Sequence, residues 1–404
     1  MSTIRGACIA MRSLALLCTC ILIGASSPSS ASALPAVHPV ELSKYAEEHP
    51  TLTFPVVVTA TGQLTAISAQ VLESILSRGT DQQYSFRLPI INSVSVSLRG
   101  TDLVSLLGNS QLRQIWYYTD TAHFLFCVRV IRAIAYSVSN HIPLMNISSQ
   151  SPERLFDPGE PVNLAMHAAF DAGALAIVAA GNNGPTPGSL SAWCSPWVIC
   201  VGATTQDGRQ LANFSARAET NETVSLPTVV APGVDVLTAH PSYIKKSNEM
   251  IAAEKRVHFD ALVPPEKRDS YTVVSGTSFS APHVTRIETL LIRYVQAASK
   301  EVRARGRNTF DVTYKLPLNR KPDARTTSKR LVGTLRWNGS QRVITYPAKL
   351  SPALLQQITM DLAVGVNHYD STSIGAGFID WNGAVQVFGR YGVPPPELVD
   401  LKVE

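Results

Sequence analysis

Between Val128 and Gly233 the chain carries four apolar runs, "IPLMNIS", "ALAIVAAG", "WVICVGATT" and "TVVAPG", with helical patterns at 128–139 and 160–172. A strand wetted on one face alternates apolar and polar residues. Near-continuous apolar runs suit strands covered on both faces, as in parallel sheets. Strands alternating with helices therefore predict an α/β fold, a parallel sheet covered by helices. The segment "YTVVSGTSFSAPHVTRIETLLIRYV" (271–295) extends the pattern as strand, tight turn at Gly276 and helix, with Val284, Ile287, Leu291, Val295 and Ala298 on one face. Pro282 is read in the first helical turn, where its absent N–H costs nothing.

Upstream the rhythm differs. "TFPVVVTATG" reads as a strand, followed by a helix with Leu64, Ile67, Val71 and Ile75 at helical spacing. Then come "YSFRLP", the alternating "INSVSVSLRG" with Val94, Val96 and Leu98 on one side, the short helix "TDLVSLLGN" and the strand "LRQIWYY". This β-α-β-β-α-β order is that of a small ferredoxin-like α+β unit, placed at 50–118. After Lys300 both patterns lapse. The stretch at about 300–350 reads as an insertion with a basic run and one hairpin, "LVGTLRWNGSQRVITY", whose Asn338-Gly339 suits a type I′ turn.

The 404 residues are 45% hydrophobic and 16% charged, enough for one large and one smaller domain. A net charge of +5, with the cations gathered at 303–330 and no interleaved aromatics, argues against nucleic-acid binding. Arg5 and Arg12 precede the apolar run Leu14 to Ala25, and Ala31-Ser32-Ala33 follows, the layout of an export signal over 1–33. That run is too short to span a bilayer. The expectation is a secreted protein without a membrane segment once the signal is removed. Cys127, Cys194 and Cys200 then remain; Cys194 and Cys200 either pair or Cys200 is a plain core residue.

Ser278 falls at a strand-to-helix corner, where free N–H groups favour negative charge. "ALAIVAAGNNGPTPG" would carry Asn182 to the carboxyl edge of the sheet, where its amide could donate to a developing oxyanion. Together "GTSFSAPHV" (276–284), "AAGNNG" (179–184), "LMNIS" (144–148), "VGATT" (201–205), "VVAPG" (229–233) and "GAGFID" (375–380) resemble, in order, the motifs of the subtilisin-like serine proteases. The resemblance implies a catalytic domain over 127–390, with Ser278 as nucleophile and Asn182 with the Ser278 N–H as oxyanion hole. It also implies a cleft-lining strand near Asn146 and Ser148. Ser149-Gln150 departs from the family's usual glycine there. The 50–118 unit resembles the family's inhibitory propeptide, so the implied partners are a polypeptide substrate or the chain's own propeptide. No cofactor is expected, and calcium, frequent in relatives, has no assignable ligands.

The family's triad runs Asp, His, Ser along the chain. Both partners belong ahead of Asn182, the aspartate in an Asp-Thr/Ser-Gly turn and the histidine in His-Gly-Thr. Only about eight residues separate Tyr117 from the helix read from near Phe126, too few for a strand of roughly five and a helix of roughly ten residues. None of the nine histidines precedes a glycine. His123 and His141 are the candidates by position, and His283 lies inside the serine motif as a packing residue. Asp120-Thr121-Ala122 distantly resembles the aspartate turn, but its context reads as a linker. The expectation is an impaired or inactive endopeptidase; the alternative is a non-catalytic relative that binds peptides or proteins. The sequons at Asn213, Asn221 and Asn338 are candidate glycan sites.

Overall fold

The computed structural model describes residues 19–20, 39–62, 65–151, 155–220, 222, 224–239, 259–260, 263–315, 334–338, 341–366 and 368–379. The export signal, apart from 19–20, Asn221, Asp380 and residues 316–333 of the basic segment lie outside them. The chain forms two compact units. One comprises Met1–Ile23, Asn146–Phe156 and Ala176–Glu404, the other Gly24–Met145 and Asp157–Leu175.

The first unit holds the parallel sheet. Strand order is Thr19–Cys20, Leu144–Ile147, Leu175–Ala179, Val198–Thr204, Val229–Pro232, Phe378–Ile379, Ala363–Val364. Ala176 pairs in parallel with Val198, Val201 with Val229, and Phe378 with Val230; the last strand is antiparallel. Every residue of Leu175–Ala179 and Val198–Thr204 is buried, as unbroken apolar runs require. Helix Thr277–Ala304 packs on Val198–Thr204 and Val229–Pro232 through Val284, Leu291, Val295 and Ala298, all buried. Each such side chain contributes roughly 1.5–3 kcal/mol, less for the alanine. Cys194 and Cys200 are joined by a disulfide.

Three readings change. Pro282 is the sixth residue of this helix, so its absent N–H leaves the Ser278 carbonyl without its helical donor. The helix continues to Ala304, and the insertion that follows is a three-stranded antiparallel sheet, Thr309–Lys315, Gln341–Pro347, Thr334–Asn338. Asn338 is a strand residue paired with Gln341, not a turn residue as read, and Gly339 lies outside the described residues.

The second unit contains a four-stranded antiparallel sheet ordered Phe86–Leu88, Ser93–Arg99, Thr53–Ala60, Leu112–Tyr117. One face, with Phe54, Val56, Val58, Val94, Val96 and Leu98, packs against Leu72, Ile75, Leu103 and Leu106 of the two intervening helices. Helix Pro39–Glu48 adds Leu42 and Ala46 to this core, ahead of the boundary read at residue 50. The other face reads as polar in sequence, yet Ser93, Ser95 and Ser97 are 2%, 0% and 5% exposed. Helix Thr121–Ser139 contacts Thr53–Ala60 and Phe86–Leu88, and the Arg132 guanidinium sits 4.3 Å from the Phe86 ring centroid. Small serines permit that approach, and their hydroxyls are satisfied locally: Ser93 donates to Thr59 and Ser95 to the Tyr84 carbonyl.

Helix Thr121–Ser139 starts well before the expected boundary because Asp120 caps it, accepting from the N–H groups of Ala122 and His123. By length and composition this helix could cross a membrane, unlike any stretch singled out beyond residue 33. Its apolar face, Phe124, Cys127, Val128, Val130, Ile131 and Ile134, is buried within the unit.

Candidate active site

The strand Tyr271–Val274 delivers Gly276, whose N–H donates to the Gly233 carbonyl at 2.8 Å. Gly233 has to be small. A Cβ there would lie 2.1 Å from Ser280 Oγ and 2.8 Å from Ala203 Cβ. The chain then enters the helix at Thr277, which puts Ser278 in its first turn, half-buried.

Asn182 follows the buried strand Leu175–Ala179 and meets this turn. Its Oδ1 accepts from the Thr277 N–H and the Thr277 hydroxyl, each at 2.9 Å, while the Thr277 Oγ1 accepts from the Gly181 N–H at 3.2 Å. A backbone N–H can only donate, so it fixes which end of the amide is oxygen. The Asn182 Nδ2 group remains as a donor, 3.6 Å from where a Gly276 Cβ would stand. The contact ties the Asn182 amide to Thr277, the residue before Ser278 in the chain. Such donors can stabilise an oxygen that develops negative charge.

Asn146 and Ser148 are placed differently from a cleft-lining pair. Asn146 is 2% exposed; its Nδ2 donates to Ser148 Oγ at 2.8 Å and its Oδ1 accepts from Thr285 Oγ1 at 2.9 Å. The Oδ1 end braces its strand to the serine-bearing helix, and the Nδ2 end is held by Ser148 two residues on. Gln150, passed over as a departure from the motif, is the residue that reaches the site: its Oε1 accepts the Asn182 N–H at 2.8 Å. Only its deviation from glycine marked it in sequence.

Among the described residues none hydrogen-bonds the Ser278 hydroxyl. His283, on the same helix, is engaged through Nδ1 with the Pro232 carbonyl at 3.0 Å. His123 and His141 belong to the other unit. The His123 ring stands edge-on to Tyr118 at 5.3 Å, and burial lowers its pKa to about 4 against the pull of Asp120. His141 follows the helix end with φ 54° and is exposed. The Asp120 carboxylate caps a helix instead of orienting an imidazole. The strand Leu112–Tyr117 and the helix from Thr121 leave only 118–120 between them, less room than the sequence suggested.

No group of three or more His, Cys, Asp or Glu side chains is gathered for a metal among the described residues. A cleft of about 850 Å³ lined by Gln206, Asp207, Arg209, His368, Tyr369 and Phe378 contains none of the site residues. Asn213 is exposed.

The subtilase family model matches residues 126–333, just over half of the chain. The subtilisin-like protease SBT2.1 of Arabidopsis thaliana is 31% identical over 112 residues, 27% of this chain and 12% of that protein. The serine protease AprX of Bacillus subtilis (strain 168) is 31% identical over 143 residues, 33% of this chain and 29% of that protein. The chain thus matches less than a third of the length of either. Among solved structures, the patellamide maturation protease PatA is 18% identical, with a TM-score of 0.41 over 68% of this chain and 72% of that one. With the serine and asparagine motifs on adjoining turns of a helix-covered parallel sheet, this chain belongs to the subtilase family.

Proposed function

We propose that this chain is exported, binds polypeptide beside Ser278 and Asn182, and in this form hydrolyses it poorly or not at all. The carrying observation is the Thr277–Asn182 contact, which holds an amide donor beside the serine turn while no histidine ring engages the Ser278 hydroxyl among the described residues. A serine hydroxyl is a weak nucleophile until a base takes its proton. Loss of a triad's histidine costs about a millionfold in turnover in a well-studied case, with roughly 10³–10⁴ over water left to the oxyanion hole and binding. On this reading the Asn182 amide and the helix-start N–H groups hold a carbonyl or carboxylate oxygen of the bound chain.

Membership of a protease family favours a second reading, a working endopeptidase that passes through an acyl-enzyme at Ser278. A fluorophosphonate probe separates the two, because it reports activated serines without requiring a substrate. On the binding reading, the folded protein reacts no faster than Ser278→Ala at pH 7. Rapid labelling that disappears in Ser278→Ala supports the enzyme instead.

A further inference from the structure

On the binding reading above, we propose that Gln150 is a specificity-determining residue: its carboxamide stands where a main-chain carbonyl of the bound polypeptide would be received, and it restricts the site to chains with small side chains there. Gln150 lies three residues beyond the strand Leu144–Ile147. Its side chain crosses to the loop that follows Leu175–Ala179, where its Oε1 accepts the Asn182 N–H at 2.8 Å. A backbone N–H only donates, so the oxygen end of the carboxamide faces Asn182. That oxygen belongs to an amide C=O, the same acceptor that every peptide unit carries. The Asn182 N–H is thus satisfied from within the chain in the way an extended polypeptide passing the loop would satisfy it.

The carboxamide also takes up space. Gly181 is buried with φ 109°, and a Cβ on it would lie 2.9 Å from Gln150 Oε1 and 3.6 Å from Gln150 Cδ. Gln150 therefore lies directly against the Gly181 backbone, and a bulky side chain of a bound polypeptide cannot enter there unless Gln150 leaves. The main chain holds it ready. The Ser151 N–H donates to Ser191 Oγ at 2.9 Å, and the Ser191 N–H donates to the Ala180 carbonyl at 2.9 Å, with both serines 3% exposed. This buried link fixes the chain beside Gln150 to the start of the Asn182 loop, so the contact costs little beyond the rotamer freedom of one side chain. The contact itself is lightly held. Gln150 is half-buried, Asn182 is exposed, and among the described residues nothing accepts from Gln150 Nε2. One such hydrogen bond shifts an equilibrium by about two- to tenfold, so a bound chain displaces it at a cost in affinity.

The test is an anisotropy titration of the full-length protein with two labelled, uncharged, unfolded polypeptides of equal length, one of Gly, Ala and Ser alone and one with Leu and Phe interspersed. Wild type is compared with Gln150→Ala and Gln150→Ser, both too short to reach Asn182, and with Gln150→Glu, which keeps the acceptor and the bulk. The two short variants are expected to bind the Leu- and Phe-bearing polypeptide about tenfold more tightly than wild type and the small-residue one no more than about twofold more tightly, while Gln150→Glu stays with wild type. Hydrogen exchange at the Asn182 amide is expected to quicken in the short variants and not in Gln150→Glu. Melting midpoints identify which variants are folded. Wild-type affinity for both polypeptides in a folded short variant, or an equal gain for the two, overturns the role of Gln150 and leaves the binding reading in place. Absence of binding by wild type and every folded variant overturns the binding reading together with this role.

Discussion

Thr277 donates both its backbone N–H and its hydroxyl to the Oδ1 of Asn182, each at 2.9 Å, and so orients the amide beside Ser278. Thr277 is fully buried. Asn182→Ala strands its N–H and is expected to lower stability by about 1–3 kcal/mol. Asn182→Asp retains the acceptor but replaces the Nδ2 donor with a second carboxylate oxygen. It is expected to keep more of the melting midpoint than Asn182→Ala while losing polypeptide affinity. Thermal melting and fluorescence anisotropy with a labelled unfolded polypeptide read the two effects separately.

Gly233 sets how closely the strand Val229–Pro232 approaches the serine turn. A Cβ would come within 3.0 Å of the Gly276 carbonyl oxygen, Ala203 Cβ and Ser280 Oγ at once. Two of these are backbone or strand atoms that cannot rotate away. Gly233→Ala is expected to cost roughly 1–3 kcal/mol by overpacking and to displace the turn, weakening binding more than Gly208→Ala in the cleft remote from the serine. Denaturant melts and binding titrations compare the two.

Glu288 is fully buried on the serine-bearing helix; Thr359 donates to its Oε1, and its Oε2 has no partner among the described residues. Burial raises its pKa to about 8, with the Thr359 hydrogen bond opposing. A carboxyl with a raised folded pKa binds more protons when folded. Its stabilising share is therefore whole below the ordinary carboxyl range and is lost as pH rises toward about 8. One such group changes stability by at most about 1.4 kcal/mol per pH unit. His123 runs the other way: lowered to about 4, it favours the folded state above the ordinary imidazole range and withdraws that support as pH falls through 4. Urea midpoints are expected to decline for wild type between about pH 6.5 and 8, where His123 no longer opposes Glu288, and to flatten over that range in Glu288→Gln.

Asp120 is a helix cap in the structure, so Asp120→Ala is expected to cost about 1 kcal/mol and Asp120→Asn or Asp120→Ser to recover most of it. An aspartate that orients a catalytic base would not be rescued by serine. Melting midpoints of the three variants, with fluorophosphonate reactivity alongside, distinguish a cap from a catalytic acid.

The central fold was legible because burial on both faces leaves unbroken apolar runs such as "ALAIVAAG". Ser278 and Asn182 were read as a pair from the motifs "GTSFSAPHV" and "AAGNNG", and the structure links Asn182 to Thr277, the neighbour of Ser278. What escaped the sequence was tertiary in origin. Ser93, Ser95 and Ser97 read as a wet face, since nothing local to "SVSVSL" announces the helix that covers it. The start of that helix was hidden behind Asp120, whose cap resembles a turn until the following residues are seen to be helical. Asn146 carries a family motif yet serves as a brace to Thr285, 139 residues away. Gln150 gained its contact with Asn182 through the pairing order of strands, which spacing alone does not specify.

The most direct measurement is the fate of a fluorescently labelled unfolded polypeptide incubated with the full-length protein and with Ser278→Ala. Both are expected to bind it with the same midpoint and to release no fragments beyond the uncatalysed background. Fragment release by the wild type that vanishes in Ser278→Ala would contradict the account, since it requires a base at the serine.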